Sequence, residues 1–225
     1  MLSVILPYWR RAPAAQAALA LYEKNYAGKL DFEVILVDDG SHDIDIAYPW
    51  LRIERLPKKN VPKNPCVPIN HGARMASGDV LVISCAEIRH NAPVFPKMLE
   101  ELQRIGENGY VLAACWYEAE KSWHCHSHIT ADGYHQQIAQ PKGSGFHFCG
   151  MLNRSLWDRA GGFDEEYRDG AFYDDPDFVN RLARAGAIFK IRDDLVVEHV
   201  REGCEPIEWI GRERNQKLFQ SKWNG

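Results

Sequence analysis

No stretch of this 225-residue chain approaches the roughly 18 consecutive apolar residues that a membrane-crossing helix needs. The opening run, Met1 to Leu6, is apolar but too short for a signal core and has no basic residue before it. The expectation is a soluble, cytoplasmic protein with no integral membrane segment. None of the six cysteines forms a Cys-x-x-Cys pair, so a finger-type metal site finds no support and the thiols read as mostly reduced. Charge of one sign is also scarce. A net charge of −4 gives no global electrostatic case for nucleic acid, leaving Lys58, Lys59 and Lys63 as a local basic patch. Neither an internal repeat nor a clear linker is present, which predicts one domain over 1–225.

What is there is organised around Phe32-Glu33-Val34-Ile35-Leu36-Val37-Asp38-Asp39-Gly40-Ser41. The unbroken apolar run Val34 to Val37 reads as a strand buried on both faces, as in a parallel sheet. Asp39-Gly40 reads as a turn, so Asp38 and Asp39 stand at the carboxyl end of a strand, where open α/β sheets place their ligands. A first strand, Leu2 to Leu6, and an Ala-rich helix, Ala14 to Tyr26, precede it. Arg52 to Leu56 reads as a short strand, and the four prolines between Pro57 and Pro68 predict a loop. Further on come a helix (Ile69 to Ala76), a buried strand (Asp79 to Ile83), a helix (Pro93 to Ile105) and a strand (Tyr110 to Trp116). Tyr117 to Gly145, rich in His and Gln, predicts a long mobile loop. Order resumes at 146–200, with helices over Leu156 to Ala160 and Asp177 to Ala185. Late strands follow at Ile188 to Ile191 and Leu195 to Val197, then a helix within 203–225, over Ile207 to Phe219.

Three blocks of residues carry chemistry. Leu6-Pro7-Tyr8 and Val37-Asp38-Asp39-Gly40-Ser41 end strands, and Asn70-His71-Gly72-Ala73-Arg74-Met75-Ala76-Ser77-Gly78-Asp79 leads into one. Gly161-Gly162-Phe163-Asp164-Glu165 is followed by Asp174-Asp175-Pro176-Asp177-Phe178, then Arg181 and Leu182. Val197-Glu198-His199 closes a late strand. Together these resemble the family 2-type glycosyltransferases of the GT-A fold, over roughly 2–91 and 146–200. The resemblance implies an α/β fold with a mostly parallel central sheet flanked by helices, its nucleotide-sugar-binding half at 1–91 and its acceptor half at 146–200. It implies a hexosyltransferase-like enzyme that moves a sugar from a nucleotide-diphosphate sugar, uridine-linked by default, to an acceptor hydroxyl with inversion.

By that resemblance Pro7, Tyr8, Asp38 and Asp39 line the nucleotide pocket and Arg74 faces the diphosphate, which wants cationic donors. Gly162, Phe163 and Asp164 line the substrate. Asp175 is the general base, because an acceptor hydroxyl is a weak nucleophile and a carboxylate within reach removes its proton. Asp174 orients the acceptor or shares that role, and Asp177 caps the helix. The family's Asp-x-Asp metal motif falls on Cys85-Ala86-Glu87 here. A hard cation prefers oxygen, so Glu87, with His199 as a further ligand, would hold Mn²⁺ or Mg²⁺.

Rival readings remain open at this level. A nucleotidyltransferase would want glycine in the loop Pro7-Tyr8-Trp9-Arg10-Arg11, which has none. Cys85 in a metal slot fits a non-catalytic sugar- or nucleotide-binding protein. The acceptor could be a glycan, a protein or a modified nucleic-acid base. The segment Trp123-His124-Cys125-His126-Ser127-His128 could bind Zn²⁺ or serve an acceptor loop, with Trp123 stacking on a ring.

Overall fold

The computed structural model describes residues 1–59, 64–127, 147–200 and 210–223. In chain order the elements are β1 (Leu2–Tyr8), α1 (Ala12–Tyr26), β2 (Phe32–Asp38), β3 (Leu51–Arg55), α2 (Cys66–Met75), β4 (Val80–Ser84), β5 (Ile88–Arg89) and α3 (Phe95–Ile105). After them come β6 (Gly109–Tyr117), β7 (Ser122–Cys125), β8 (Cys149–Asn153), α4 (Arg154–Ala160), a 3-10 turn (Glu165–Asp169), α5 (Asp174–Arg184), β9 (Ile188–His199) and α6 (Arg212–Trp223).

One sheet runs β3-β2-β1-β4-β8-β6-β9-β5, with β7 paired to β6. The first four strands are parallel, and β6 pairs parallel with β9. Strand β8 lies antiparallel between β4 and β6, so β6 and β9 again point the same way as β1, β2 and β4. That direction is what positions the site. The carboxyl ends of these strands, at Tyr8, Asp38, Ser84, Tyr117 and His199, share one edge.

The apolar runs explain the layers. Val4, Ile5, Leu6, Val34, Ile35, Leu36 and Val37 are all at most 1% exposed, which requires helices on both faces. Helix α2 packs so tightly on β1 that a Cβ on Gly72 would stand 2.6 Å from Ile5 Cγ2. At that approach only glycine fits.

Several boundaries differ from the sequence reading. The proline-rich loop ends at Pro65, because Pro68 sits in the first turn of α2, where its missing N–H has no intrahelical partner to lose. The two late strands are one, β9, whose register against β6 shifts between Ala113 and Ala114. Part of the expected loop is strand: β7 pairs with β6 through Cys115↔Cys125 and Trp116↔Trp123. Residues 128–146, including His128 and His135, lie outside the described residues, as do Lys63 and Cys204. The five described cysteines are free thiols. No described helix is long and apolar enough to cross a membrane.

Candidate active site

At the end of β2 the two acids divide their work. Asp38 is fully buried, and its Oδ1 accepts hydrogen bonds from the backbone N–H of Gly40 and Ser41, at 3.1 and 2.8 Å. Its Oδ2 accepts from His42 N at 2.7 Å, so both oxygens build the turn. Asp39 pairs with Lys59. Its backbone N–H donates to Tyr8 O at 2.9 Å, locking the two strand ends together. Tyr8 is itself buried and donates its hydroxyl to Asp43 at 2.7 Å, while Pro7 lies half-buried in β1 opposite Val37. Thus Asp38 and Tyr8 shape the loop from within.

Glu87 and His199, far apart in sequence, meet on the same edge. Glu87 Oε1 lies 3.2 Å from His199 Nε2, and both residues are about 5% exposed. Tyr117, His124 and Phe148 surround the His199 ring, with centroids 5.3, 5.4 and 5.0 Å away. The same Glu87 oxygen also pairs with Arg11, from the loop after β1. Burial pushes the Cys85 thiol up to about 12, against the Arg11 charge, and the Asp175 and Asp174 carboxylates add to the rise. Cys85 is therefore a neutral thiol beside these groups.

The donor set suits a hard divalent cation. Adjacent ligands on a six-coordinate ion of this kind stand about 3 Å apart, close to the Glu87–His199 separation. These two side chains would supply two positions, the imidazole favouring Mn²⁺ over Mg²⁺. Among the described residues no group of three or more His, Cys, Asp or Glu is arranged for a metal, so the remaining positions would fall to water and ligand oxygens. The described histidines of the His-rich segment do not gather either: His124 stacks by His199, while His126 packs on Trp123 and lies 3.7 Å from Asp193.

The second acidic group opens α5. Asp174 is 4% exposed, and its Oδ1 accepts from Asn64 Nδ2 at 2.9 Å, while its buried Oδ2 has no hydrogen-bond partner among the described residues. Asp175 is half-buried. Burial raises both carboxyls well above their ordinary range, and the neighbouring Asp175 charge adds to the rise at Asp174. His147 bridges this group to the sheet, with Nε2 3.3 Å from Asp175 O and Nδ1 2.5 Å from the Tyr110 hydroxyl. Burial lowers His147 to about 4, so it is neutral. Its neighbour Phe148 stacks on His199. Consecutive residues thus tie Asp175 to the Glu87–His199 pair.

The chain entering α5 is strained. Phe172 and Tyr173 hold φ of 64° and 70°, which bulky residues seldom adopt. Asn215 of α6, fully buried, donates to the carbonyls of Tyr167, Gly170 and Phe172 at 2.9, 2.7 and 3.0 Å and pins this loop.

Other expected residues lie elsewhere. Arg74 is a correction: α2 runs against the strands and delivers it to the far edge, one turn before Gly78, whose N–H donates to Ser3 at the start of β1. There Arg74 is exposed and 3.6 Å from Glu165. Gly162 and Phe163 are core. Gly162 has φ +68°, and a Cβ on it would meet Asn70 Oδ1 at 2.8 Å. Phe163 stacks on Phe178 at 4.2 Å. Asp164 bonds Arg181 at 2.9 Å and pairs with Lys222. Asp177 does not cap α5. It sits inside the helix and accepts from Trp223 at 2.7 Å and Arg181 at 2.8 Å. Arg11, Asn64, His147 and Asn215 went unnoticed as site residues. Only Arg11 left a signal, as a cation in the loop after the first strand.

A parallel half-sheet with acids at its carboxyl edge, continued by a mixed half that returns an acid-bearing helix and a histidine to that edge, is the GT-A architecture of glycosyltransferases. The chain belongs to glycosyl transferase family 2, whose family model matches residues 3–159. It is 28% identical over 109 residues to a dolichol-phosphate mannosyltransferase of Pyrococcus furiosus, a match covering 45% of this chain and 30% of that protein. The chain thus spans less than a third of that relative's length. Its fold resembles mannosyltransferase PcManGT of Pyrobaculum calidifontis, solved in complex with GDP-Man and Mn²⁺, with a TM-score of 0.61 and 20% identity over 88% of this chain and 56% of that one. It also resembles residues 1–349 of S. aureus TarS, with a TM-score of 0.68 and 15% identity over 98% of this chain and 64% of that one. At these identities the likeness is one of fold.

Proposed function

We propose that the chain transfers a sugar from a nucleotide-diphosphate sugar to an acceptor hydroxyl at the Asp39–Glu87–Asp175 edge. The observation that carries this is the placement of Asp175, a half-buried carboxylate with a raised pKa, on the edge where Glu87 meets His199. A carboxyl raised by burial is a stronger base than a free one yet still ionised near neutral pH. Asp175 accepts the hydroxyl proton as that oxygen bonds to the anomeric carbon. The bond from this carbon to the diphosphate oxygen breaks, and its electron pair leaves with the diphosphate. Attack from the side opposite the leaving group inverts the anomeric centre.

Asp174, fixed by Asn64, holds the start of α5 in place. Asp39, paired with Lys59, faces the nucleoside, and Lys59 adds positive charge beside it. Glu87 and His199 would hold Mn²⁺ or Mg²⁺, and such an ion, when bound, neutralises charge on a departing diphosphate. Uridine is the base that the sequence resemblance suggests, and the bound GDP-Man of the archaeal structure adds guanosine as the second arm of the test.

The test is calorimetric titration with UDP, GDP, CDP and dTDP, each with and without Mn²⁺. One diphosphate binding in a Mn²⁺-dependent way is expected. Absence of binding to all four overturns the reading.

A further inference from the structure

A buried carboxylate needs a counter-charge, and Glu87 is 4% exposed. Arg11 supplies it, pairing with the Oε1 atom that also lies 3.2 Å from His199 Nε2. An ion held by Glu87 and His199 would have to sit against this same oxygen. A guanidinium and a divalent cation there repel each other strongly in a dry site. Cys85 sharpens the contest. A sulfur donor, which a hard cation disfavours, stands in the slot where the family resemblance has a carboxylate.

We propose that Arg11 is a built-in competitor for the metal: its guanidinium holds the Glu87–His199 pair between turnovers and passes to the donor diphosphate when the ion arrives. The inference rests on the glycosyl-transfer reading above. Arg11 is built for such a move. Its backbone is fixed, with N–H donating to the Tyr8 hydroxyl at 3.2 Å and carbonyl accepting from Ala15 N at 2.9 Å. Its side chain is 22% exposed and free of those anchors. A guanidinium fork matches phosphate oxygens as well as it matches a carboxylate. Charge stays balanced throughout. Arg11 neutralises Glu87 in the resting protein, and the ion together with Arg11 offsets Glu87 plus a doubly charged sugar diphosphate. Metal and donor therefore enter together, each making room for the other.

The experiment measures Mn²⁺ binding to the full chain by the loss of the aqueous Mn²⁺ paramagnetic resonance signal, alone and with UDP or GDP. Arg11→Gln is expected to bind Mn²⁺ alone on the order of 10-fold tighter than the natural protein. It is also expected to lose most of the gain in Mn²⁺ affinity that the diphosphate confers. Arg11→Lys keeps the charge and is expected to stay within a few-fold of the natural protein. Arg11→Met repeats the comparison with the aliphatic stem retained. Equal or weaker Mn²⁺ binding by Arg11→Gln and Arg11→Met, with His199→Ala abolishing it, overturns the competition and leaves the metal site standing. No Mn²⁺ binding by any variant overturns the metal site and the competition with it. Tighter Mn²⁺ binding with no diphosphate bound by any variant overturns the handover and the glycosyl-transfer reading together.

Discussion

Asn70 and Phe163 exchange two hydrogen bonds: Asn70 Nδ2 donates to Phe163 O at 2.8 Å, and Phe163 N–H donates to Asn70 Oδ1 at 2.9 Å. A side chain of α2 thereby replaces a strand partner for the turn after α4. Gly162 is required beside it, because any Cβ there would strike the same Oδ1. Removing the amide leaves two buried backbone groups unpaired. Asn70→Ala is expected to cost about 2–4 kcal/mol, read as a lowered urea midpoint at unchanged slope. A loss below about 0.5 kcal/mol would show that water takes over these bonds without penalty.

Asp175→Asn removes the proposed base and keeps the shape. Transfer is expected to fall by about 100-fold or more, with calorimetric affinity for the nucleoside diphosphate nearly unchanged. Near-normal transfer would assign the base elsewhere.

The pH profile follows from the same pair. Burial raises Asp175 to about 6 and Asp174 to about 7. A base works only when ionised, so activity is lost as pH falls through this range rather than near 4. An acid limb centred on the ordinary carboxylate range would contradict a buried base.

Stability has the opposite sign. A carboxyl whose folded pKa is raised binds its proton more tightly in the folded state. Its ionised form is a penalty, full above the folded pKa and absent below the unfolded one. Asp175→Asn is expected to be more stable to unfolding at pH 8, by on the order of 1–2 kcal/mol, and to lose that gain near pH 4. A variant equally stable at both pH values would refute it.

Glu87→Ala is expected to abolish the Mn²⁺ dependence of nucleotide binding, since it deletes the oxygen that faces both His199 and Arg11. Titration calorimetry decides, and an unchanged Mn²⁺ effect removes Glu87 from the metal site.

Asn215→Ala unpins the strained loop before Asp174. The expectation is a fall in kcat with the donor KM little changed, because Asn215 holds the base-bearing side alone. An effect on donor KM alone would place α6 in donor binding instead.

The chain itself determined the local matters. Val34 to Val37 followed by Asp38-Asp39-Gly40 specifies a buried strand and a tight turn, because strand period and turn chemistry act over a few residues. That Glu87 and His199 belong to one site was an expectation of the family resemblance at those two positions, and the fold brings them to 3.2 Å. Tertiary structure decided the rest. Whether Asp38 meets a ligand or its own loop depends on hydrogen bonds to His42 that no spacing announces. Arg74 looked like a diphosphate ligand by motif, yet a helix that returns the chain to the start of β4 must carry its last turn to the opposite edge. Arg11 and Asn64 are separated along the chain from the acids they bond by 76 and 110 residues, and Asn215 by 43 from the Phe172 carbonyl it holds, and only the folded sheet and the docking of α6 bring them within hydrogen-bond range. Periodicity encodes which face a side chain takes. It does not encode which distant partner awaits there, because that is set by how the layers pack.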